Sequence, residues 1–282
     1  MDQQPILLNA ASWRAEIAPD RGANLLSLTD EGRDILVPLS GSCTNPFLVG
    51  APLLLPSNRT AEGRFRFQGK EYHLAINESA SGAHLHGSLY CQCFQEEGHS
   101  RERACLSFEN RGEIYPFPFR VRVEYRLSAE GLLSQYTLEN CSKMPMPFTF
   151  GLHTTFVEPD FFRVALAACQ EKDSLHIPTG RYLPLNRQEQ NYLTGSPSKG
   201  LSISGYYRAS GDTAYIGTDY FYRVFGFDHW VLFNGQGNSG LLCIEPQLGG
   251  VNALNDPTHC PVLPSLGSIR FQTLLRRYPK KR

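Results

Sequence analysis

The stretch between Phe119 and Leu127 constrains the fold of this chain more than any other. Apolar residues at positions 119, 121, 123, 125 and 127 alternate strictly with charged residues at positions 120, 122, 124 and 126. Because successive side chains of a β-strand point to opposite faces, the pattern predicts an antiparallel strand with one buried and one solvated face. A helix would not separate the two residue types in this way, since its side chains repeat every 3.6 residues.

Shorter stretches of the same kind occur along the whole chain. Phe65 and Phe67 face Tyr72 across a turn at residues 68–71, which predicts a β-hairpin. The 25 glycines and 19 prolines fall between such short strands, and residues 159–198 are rich in loop signals. We find no long segment of helical period, no fixed repeat and no break in composition. The sequence therefore predicts an all-β chain in which residues 1–282 form one large antiparallel domain.

The charge balance and the ends of the chain bear on partners and location. Lys and Arg number 27, Asp and Glu also number 27, and apolar runs stay short of membrane-spanning length. We therefore expect no nucleic-acid or membrane partner. Residues 1–5 do not resemble a signal peptide, so a cytoplasmic location is expected. The eight cysteines lack C-x-x-C spacing and are predicted to be reduced thiols, several of them buried.

An acid follows the most apolar run near the C-terminus. Residues 241–244 predict a buried strand, and Glu245, Pro246 and Gln247 come directly after it. Because proline cannot donate to a ladder, we expect pairing to stop there and the acid to lie at a strand end. Glu245 is then either solvated or held in a pocket with partners, since a sheet interior offers a lone carboxylate no stable place.

Other polar residues also follow apolar segments, namely Asn58 with Arg59, His86, His153 and Gln247. His153 alone could equally be a hydrogen-bonded core residue. His84 and His86 could supply two metal ligands, with Cys91 and Cys93 as formal partners, but an extended segment would hold its ends too far apart. We therefore predict no metal site. The chain has no Gly-x-Ser-x-Gly elbow, phosphate-binding glycine loop or dinucleotide motif, so no cofactor is expected.

Taken together, these residues resemble the aldose 1-epimerase (galactose mutarotase) family. The resemblance spans roughly residues 58–255 and depends on the order of short motifs rather than on any one of them. The motifs are Asn58-Arg59, Gly63, Phe65, residues 69–74, Leu85-His86-Gly87, Gly151-Leu152-His153 with Phe156, Glu245-Pro246-Gln247 and Asn252-Ala253.

The resemblance implies a fold, an activity and a set of site residues. The fold would be a large antiparallel β-sandwich, the supersandwich, with a sugar cleft on one face. Glu245 matches the catalytic base of the family and His153 its catalytic acid. His86 matches a sugar-binding residue that also assists catalysis, and Arg59 matches a sugar-binding residue. Asn58, Gln247 and an aspartate, either Asp219 or Asp228, are further candidates for binding the sugar.

The implied activity is an isomerase reaction that interconverts the α and β anomers of a hexose or related sugar. A carboxylate and an imidazole can move the two protons without metal or cofactor. Many members have two glycines after the first histidine, whereas this chain has Gly87-Ser88. Many also have a proline after the second histidine, whereas this chain has Thr154. These differences leave the preferred sugar open. Two alternatives remain at this point: a non-catalytic carbohydrate-binding protein, and a sugar-phosphate mutarotase with a basic cluster built from Arg59, Arg64 and Lys70.

Overall fold

The structure is a computed structural model that describes residues 4–39 and 45–278. Residues 1–3, part of the segment used for the expected location, lie outside this range. The described residues form 24 strands and one α-helix. The strands of the first half are β1 (Ile6–Ala10), β2 (Trp13–Ala18), β3 (Asn24–Asp30), β4 (Arg33–Asp34), β5 (Leu53–Leu54), β6 (Arg59–Thr60), β7 (Arg64–Phe67), β8 (Lys70–His73), β9 (His84–Leu85), β10 (Gln95–His99), β11 (Arg103–Asn110), β12 (Phe119–Ser128) and β13 (Gly131–Asn140).

The second half continues with strands of very unequal length. They are β14 (Met146–Pro147), β15 (Phe150–Leu152), β16 (Thr155–Val157), β17 (Phe162–Lys172), β18 (Pro178–Leu183), β19 (Ser204–Ile216), β20 (Tyr220–Phe225), β21 (His229–Phe233), β22 (Leu241–Leu248), β23 (Val262–Leu263) and β24 (Ser268–Arg277). The helix is α1 (Arg187–Thr194), and single 3-10 turns occur at Pro46–Leu48, Ala61–Gly63, Leu89–Cys91 and Ala253–Asn255. No helix in the described part of the chain has the length and apolar character needed to cross a membrane.

One large antiparallel sheet dominates the fold, with 14 strands among the described residues. Its main path runs β10-β11-β12-β13-β24-β20-β19-β21-β22-β15-β5, while β16 pairs with β22, β17 with β19, and β18 with β17. A second sheet, β1-β2-β3-β4, packs on β11 and β12. The predicted buried face of β12 is confirmed, because Phe119, Val121 and Val123 are fully buried between these layers, while Glu124 on the other face is buried among arginine partners. The all-β prediction is therefore confirmed.

The strand β22 departs from the prediction in an informative way. Pairing does not stop at Pro246, because Glu245 pairs with Val231 and Pro246 with Trp230 of β21. On the other side, the Ile244 N–H bonds the Thr154 carbonyl. The Pro246 nitrogen points to this same side, where the ladder is interrupted between β15 and β16. The proline therefore costs no hydrogen bond, and Glu245 lies inside a strand rather than at its end.

The helix α1 lies in the region predicted to be rich in loops. Asn186 caps it by accepting a hydrogen bond from the Glu189 N–H, while the Glu189 carboxylate accepts one from the Asn186 N–H. This capping box follows from the spacing of an Asn and a Glu three residues apart, a signal present in the sequence. Tyr192 on the same helix is buried against Phe162 of β17.

Candidate active site

A buried acid and a buried imidazole face each other beside β22. Glu245 projects from the middle of β22, while His153 lies in the two-residue break between β15 and β16. Both short strands pair with β22 on either side of that break, so the backbone ladder places the histidine opposite the acid. The His153 Nε2 atom lies 3.3 Å from the Glu245 Oε1 atom. His153 therefore sits in a break of the ladder, directly after the apolar strand β15.

Two tight turns bring Arg59 and His86 to the same place. Strand β6, which begins at Arg59, pairs with β9, which ends one residue before His86. Asn58 and His86 both adopt left-handed backbone conformations, with φ of 54° and 62°. The His86 N–H donates to the Asn58 carbonyl across 2.9 Å. Asn58 itself is buried, and its side-chain oxygen accepts from the Arg59 N–H, so its contacts fix the turn.

The His86 ring completes a group of three buried side chains with His153 and Glu245. The centroids of the two imidazole rings lie 5.2 Å apart, with the rings nearly perpendicular. Phe47, which sequence reasoning missed, packs against both rings, at 4.6 Å from His86 and 5.9 Å from His153. Only 7% of His86, 5% of His153 and 2% of Glu245 is exposed. Phe47 thus shields the histidines on one side.

This burial controls the protonation of the pair. Removal from water raises the pKa of Glu245 to about 8, against smaller lowering effects of Gln247 and Arg59. Burial also lowers the pKa of His153 to about 4. The pKa of His86 falls well below its ordinary value, by burial first and then by His153 and Arg59. Near pH 7 the carboxyl group of Glu245 is therefore protonated and the imidazole of His153 is neutral, so the two groups are in close contact and neither carries a charge.

Arg59 is held by two residues that sequence reasoning missed. Its Nε and terminal nitrogen donate to the two carboxylate oxygens of Glu78, each across 2.6 Å, and its other terminal nitrogen lies 2.8 Å from the Tyr206 hydroxyl. Glu78 comes from the loop between β8 and β9. Tyr206 lies in the same row across the sheet as Val231 and Glu245, by strand register. The guanidinium is therefore fixed rather than mobile.

Several buried polar atoms around Glu245 lack hydrogen-bond partners among the described residues. They include His86 Nδ1, His153 Nδ1, Gln247 Oε1 and Ser57 Oγ. Gln247 is fully buried, and its amide nitrogen lies 3.3 Å from Glu245 Oε2. Ser57 lies near Gln247, since both flank the Cα of Gly151. Because buried polar groups normally have partners, these atoms indicate a place where a polar ligand or water binds.

The two candidate aspartates lie in different places. Asp228 is next to His229, the strand partner of Gln247, and accepts hydrogen bonds from the His229 ring and the Gly249 N–H. It lines a cavity of about 1260 Å³, and Arg59, His86, His153 and Glu245 are not among the residues that line this cavity. Asp219 lies in the β19–β20 turn, with its carboxylate 3.9 Å from Arg33. The structure does not bring Asp219 into the group around Glu245.

The metal ligands considered from sequence do not come together. His84 Nδ1 lies 2.6 Å from the Ala75 carbonyl, whereas His86 turns away into the site, and Cys91 and Cys93 are exposed. In the described part of the chain, one group of three potential ligands lies close together. It consists of His153, Cys243 and Glu245, whose ligand atoms are all within 4.8 Å of one another.

Comparisons with known proteins identify a family that matches most of the chain. The sequence model of the aldose 1-epimerase family matches residues 6–235, a range that contains Arg59, His86 and His153 but ends before Glu245. The uncharacterised protein YihR of Escherichia coli K12 is 32% identical over 152 residues, which is 53% of this chain and 49% of YihR. The chain therefore spans about half the length of this relative.

The fold is shared with solved structures. A galactose mutarotase-like protein from Clostridium acetobutylicum superimposes with a TM-score of 0.87 at 21% identity, over 97% of this chain and 95% of that protein. A galactose 1-epimerase from Lactobacillus acidophilus NCFM gives a TM-score of 0.78 at 15% identity, over 97% and 94%. These likenesses confirm the predicted β-sandwich.

Proposed function

Because the chain belongs to the aldose 1-epimerase family, we propose that it interconverts the α and β anomers of a hexose or related sugar. Glu245 and His153 are the proton carriers in this proposal. Opening the ring requires removal of the C1 hydroxyl proton and delivery of a proton to the ring oxygen. Rotation about the C1–C2 bond and closure on the other face then reverse both transfers. One base and one acid, each returned to its starting state, are sufficient.

The protonation of the pair suits this cycle. In the proposed order Glu245 removes the C1 proton as a carboxylate, and His153 protonates the ring oxygen as an imidazolium. Transfer of the carboxyl proton from Glu245 to His153, whose atoms lie 3.3 Å apart, produces both forms at once. The positive charge of Arg59 favours the ionised carboxylate, since it lowers the pKa of Glu245. Neither proton needs to leave the buried site.

The surrounding residues would bind and orient the sugar. Arg59 donates hydrogen bonds from a fixed position, and His86, neutral because its pKa is lowered, can donate or accept at a sugar oxygen. Gln247 and Asn58, which are also polar residues of this site, are proposed to help bind the sugar. Asp228 remains a candidate for a more distant hydroxyl, at the cavity beyond His229.

The close approach of two oppositely shifted titratable groups in a buried site carries this proposal. It is tested by polarimetry with freshly dissolved α-D-glucose, α-D-galactose and a wider sugar panel. We expect the anomers to reach equilibrium faster with the protein than in buffer. Binding of hexoses without any acceleration across the panel would favour the carbohydrate-binding alternative.

The sugar-phosphate alternative receives less support from the contacts. Arg59 is paired with Glu78, and Arg64 is paired with Glu62 on the surface. The Lys70 ammonium lies 5.0 Å from the Tyr72 ring on the β7–β8 hairpin. Each of the three cations that the alternative requires thus contacts a different partner. A sugar without a phosphate group therefore fits the site better than a sugar phosphate.

A further inference from the structure

Cys243 lies beside the proton carriers and has no part in the proposed reaction. It precedes Glu245 by two residues in β22, so both side chains project from the same face of the strand. Its strand partner on the other side is Thr155, two residues after His153. Cys243 is fully buried, and its sulfur lies 3.5 Å from the Thr155 hydroxyl. The same ladder that pairs His153 with Glu245 therefore places a thiol against both.

The three side chains form a donor set for a borderline metal ion. An imidazole nitrogen, a thiolate and a carboxylate are the ligands that zinc takes in proteins, whereas magnesium and calcium prefer oxygen alone. A thiolate and a carboxylate carry two negative charges, which a divalent cation would balance inside a buried site. A neutral complex avoids the large desolvation cost of an isolated buried charge.

The distances are close to those of a tetrahedral site. Bonds of about 2.0–2.3 Å at tetrahedral angles separate neighbouring ligand atoms by about 3.3–3.8 Å. His153 Nε2 and Glu245 Oε1 already lie 3.3 Å apart, and the full set of ligand atoms lies within 4.8 Å. An approach of the Cys243 sulfur by at most about 1.5 Å would complete three corners, leaving the fourth for water.

We propose that His153, Cys243 and Glu245 bind a zinc ion, and that this ion inhibits the protein. Zinc would occupy the Nε2 lone pair and the carboxylate that the two proton transfers need, so metal binding and epimerisation exclude each other. The binding part of this inference is independent of the proposed function, whereas the inhibition rests on it. The ion is not a cofactor of the reaction in this proposal.

Cobalt(II) titration of the intact protein tests the binding part, because cobalt occupies zinc sites and reports its ligands in the absorption spectrum. We expect one equivalent to produce a thiolate-to-cobalt charge-transfer band and the visible bands of a tetrahedral ion, both removed by added zinc. Cys243→Ser should abolish the charge-transfer band and weaken zinc binding by about 100-fold or more. His153→Asn, which removes a different ligand, should also weaken it.

Cys105→Ser is the matched control. Cys105 is also buried and also lies beside a carboxylate, with its sulfur 3.2 Å from Glu97, but no group of three potential ligands among the described residues includes it. This variant should keep the cobalt spectrum of the parent. Cys243→Ala replaces Cys243→Ser if circular dichroism shows that the serine variant does not fold. An absent charge-transfer band, or one that survives both Cys243 variants, would overturn the zinc site.

Polarimetry with added zinc tests the inhibition, with each variant compared with its own metal-free rate. We expect loss of the parent activity upon zinc saturation, and an inhibitory concentration that rises about 100-fold in Cys243→Ser and stays constant in Cys105→Ser. Zinc bound through Cys243 without loss of rate would overturn the claim that it takes the proton carriers. If no sugar is epimerised at all, the proposed function fails while the cobalt spectrum still decides the site.

Discussion

Two buried carboxylates of this protein sit in opposite environments. Asp30, at the end of β3, is 0% exposed, and Glu245, in β22, is 2% exposed. Asp30 accepts hydrogen bonds from Ser12 at 2.7 Å and Tyr220 at 3.1 Å, and it is ion-paired with Arg277. Glu245 instead accepts a hydrogen bond from the Gln247 amide at 3.3 Å and faces the His153 imidazole at 3.3 Å. Both carboxyl groups therefore have almost no exposed surface, but they differ greatly in their hydrogen-bond and ion-pair partners.

The difference in partners reverses the effect on the carboxyl pKa. Burial alone would raise the pKa of Asp30, but the hydrogen bonds and charge of Arg277, with Ser12 and Tyr220, bring it below its ordinary value. The effect of burial on Glu245 is only partly offset by Gln247 and Arg59, and its pKa rises to about 8. The first carboxylate joins β3 to β20 and β24 and stabilises the contact between the sheets. The second keeps a proton that it can exchange near neutral pH.

Substituting the two proposed proton carriers should produce the largest effect. Glu245→Gln keeps the shape and hydrogen-bonding capacity of the side chain but cannot accept a proton. We expect the epimerisation rate to fall by ~10²–10⁴, or roughly 3–5 kcal/mol of barrier, as followed by polarimetry. His153→Asn should cost a comparable factor, and the double variant little more, because the two groups act together.

Sugar binding should survive both changes, since other groups hold the hydroxyls, and calorimetric titration with sugar provides this control. Asp30→Asn offers the matched comparison, because it removes the charge of a carboxylate that is equally buried. We expect it to leave the rate within a few fold of the parent. Normal turnover by Glu245→Gln would show that the base is assigned to the wrong residue.

Asp30→Asn should instead lower stability. The amide cannot pair with Arg277, and the hydrogen bonds from Ser12 and Tyr220 lose their charged acceptor. We expect a loss of about 2–3 kcal/mol in the free energy of unfolding, measured by urea denaturation at pH 7. Because the folded-state pKa of Asp30 is lowered, its contribution is complete above its ordinary value of 3.8 and is lost as the pH falls below it. The difference in stability between parent and variant should therefore shrink as the pH falls below 3.8.

The sequence was sufficient for the fold class, and it also selected Glu245 and His153 as candidates, which the structure places 3.3 Å apart. Alternation in residues 119–127 depends only on neighbours in the chain, and so do the apolar runs that precede Glu245 and His153. Pro246 misled the strand assignment, because proline is excluded from a ladder only where its nitrogen faces a partner. At this position the facing strand is interrupted, which depends on residues more than 90 positions earlier in the chain.

The residues that surround the carriers could not be found in the same way. Glu78 lies 19 positions from Arg59, and Tyr206 lies 147 positions from it. Phe47 and Cys243 look like ordinary apolar residues in sequence. Their roles depend on which loops the sheet brings together, and that is a tertiary property. Asp219 shows the opposite case, since one of the two aspartates that the family resemblance offered for sugar binding lies beside Arg33 instead.

Glu245→Gln should also raise stability, by an amount that depends on pH. The folded-state pKa of Glu245 is about 8, against an ordinary value of 4.5, so the unfolded chain releases this proton first. The parent therefore loses stability as the pH rises from about 4.5 to about 8. The variant lacks this loss, and we expect it to be more stable by roughly 1–3 kcal/mol at pH 7–8, with little difference near pH 4.5. Thermal unfolding across this range, in chelator-containing buffer, is the measurement, and a difference that does not vary with pH would contradict the assignment.

Chelation should have the smallest effect, which is none on the rate. Arg277 neutralises the charge of Asp30. Glu245 is neutralised by its own proton, which it can pass to His153. Neither carboxyl group therefore depends on a metal cation. We expect full epimerase activity after exhaustive dialysis against EDTA. If the preparation carries traces of zinc at Cys243, the rate should rise rather than fall, because the ion competes for the proton carriers. Activity lost with EDTA and restored by zinc would mean that the metal takes part in the reaction, and that the neutral pair of Glu245 and His153 is not sufficient for it.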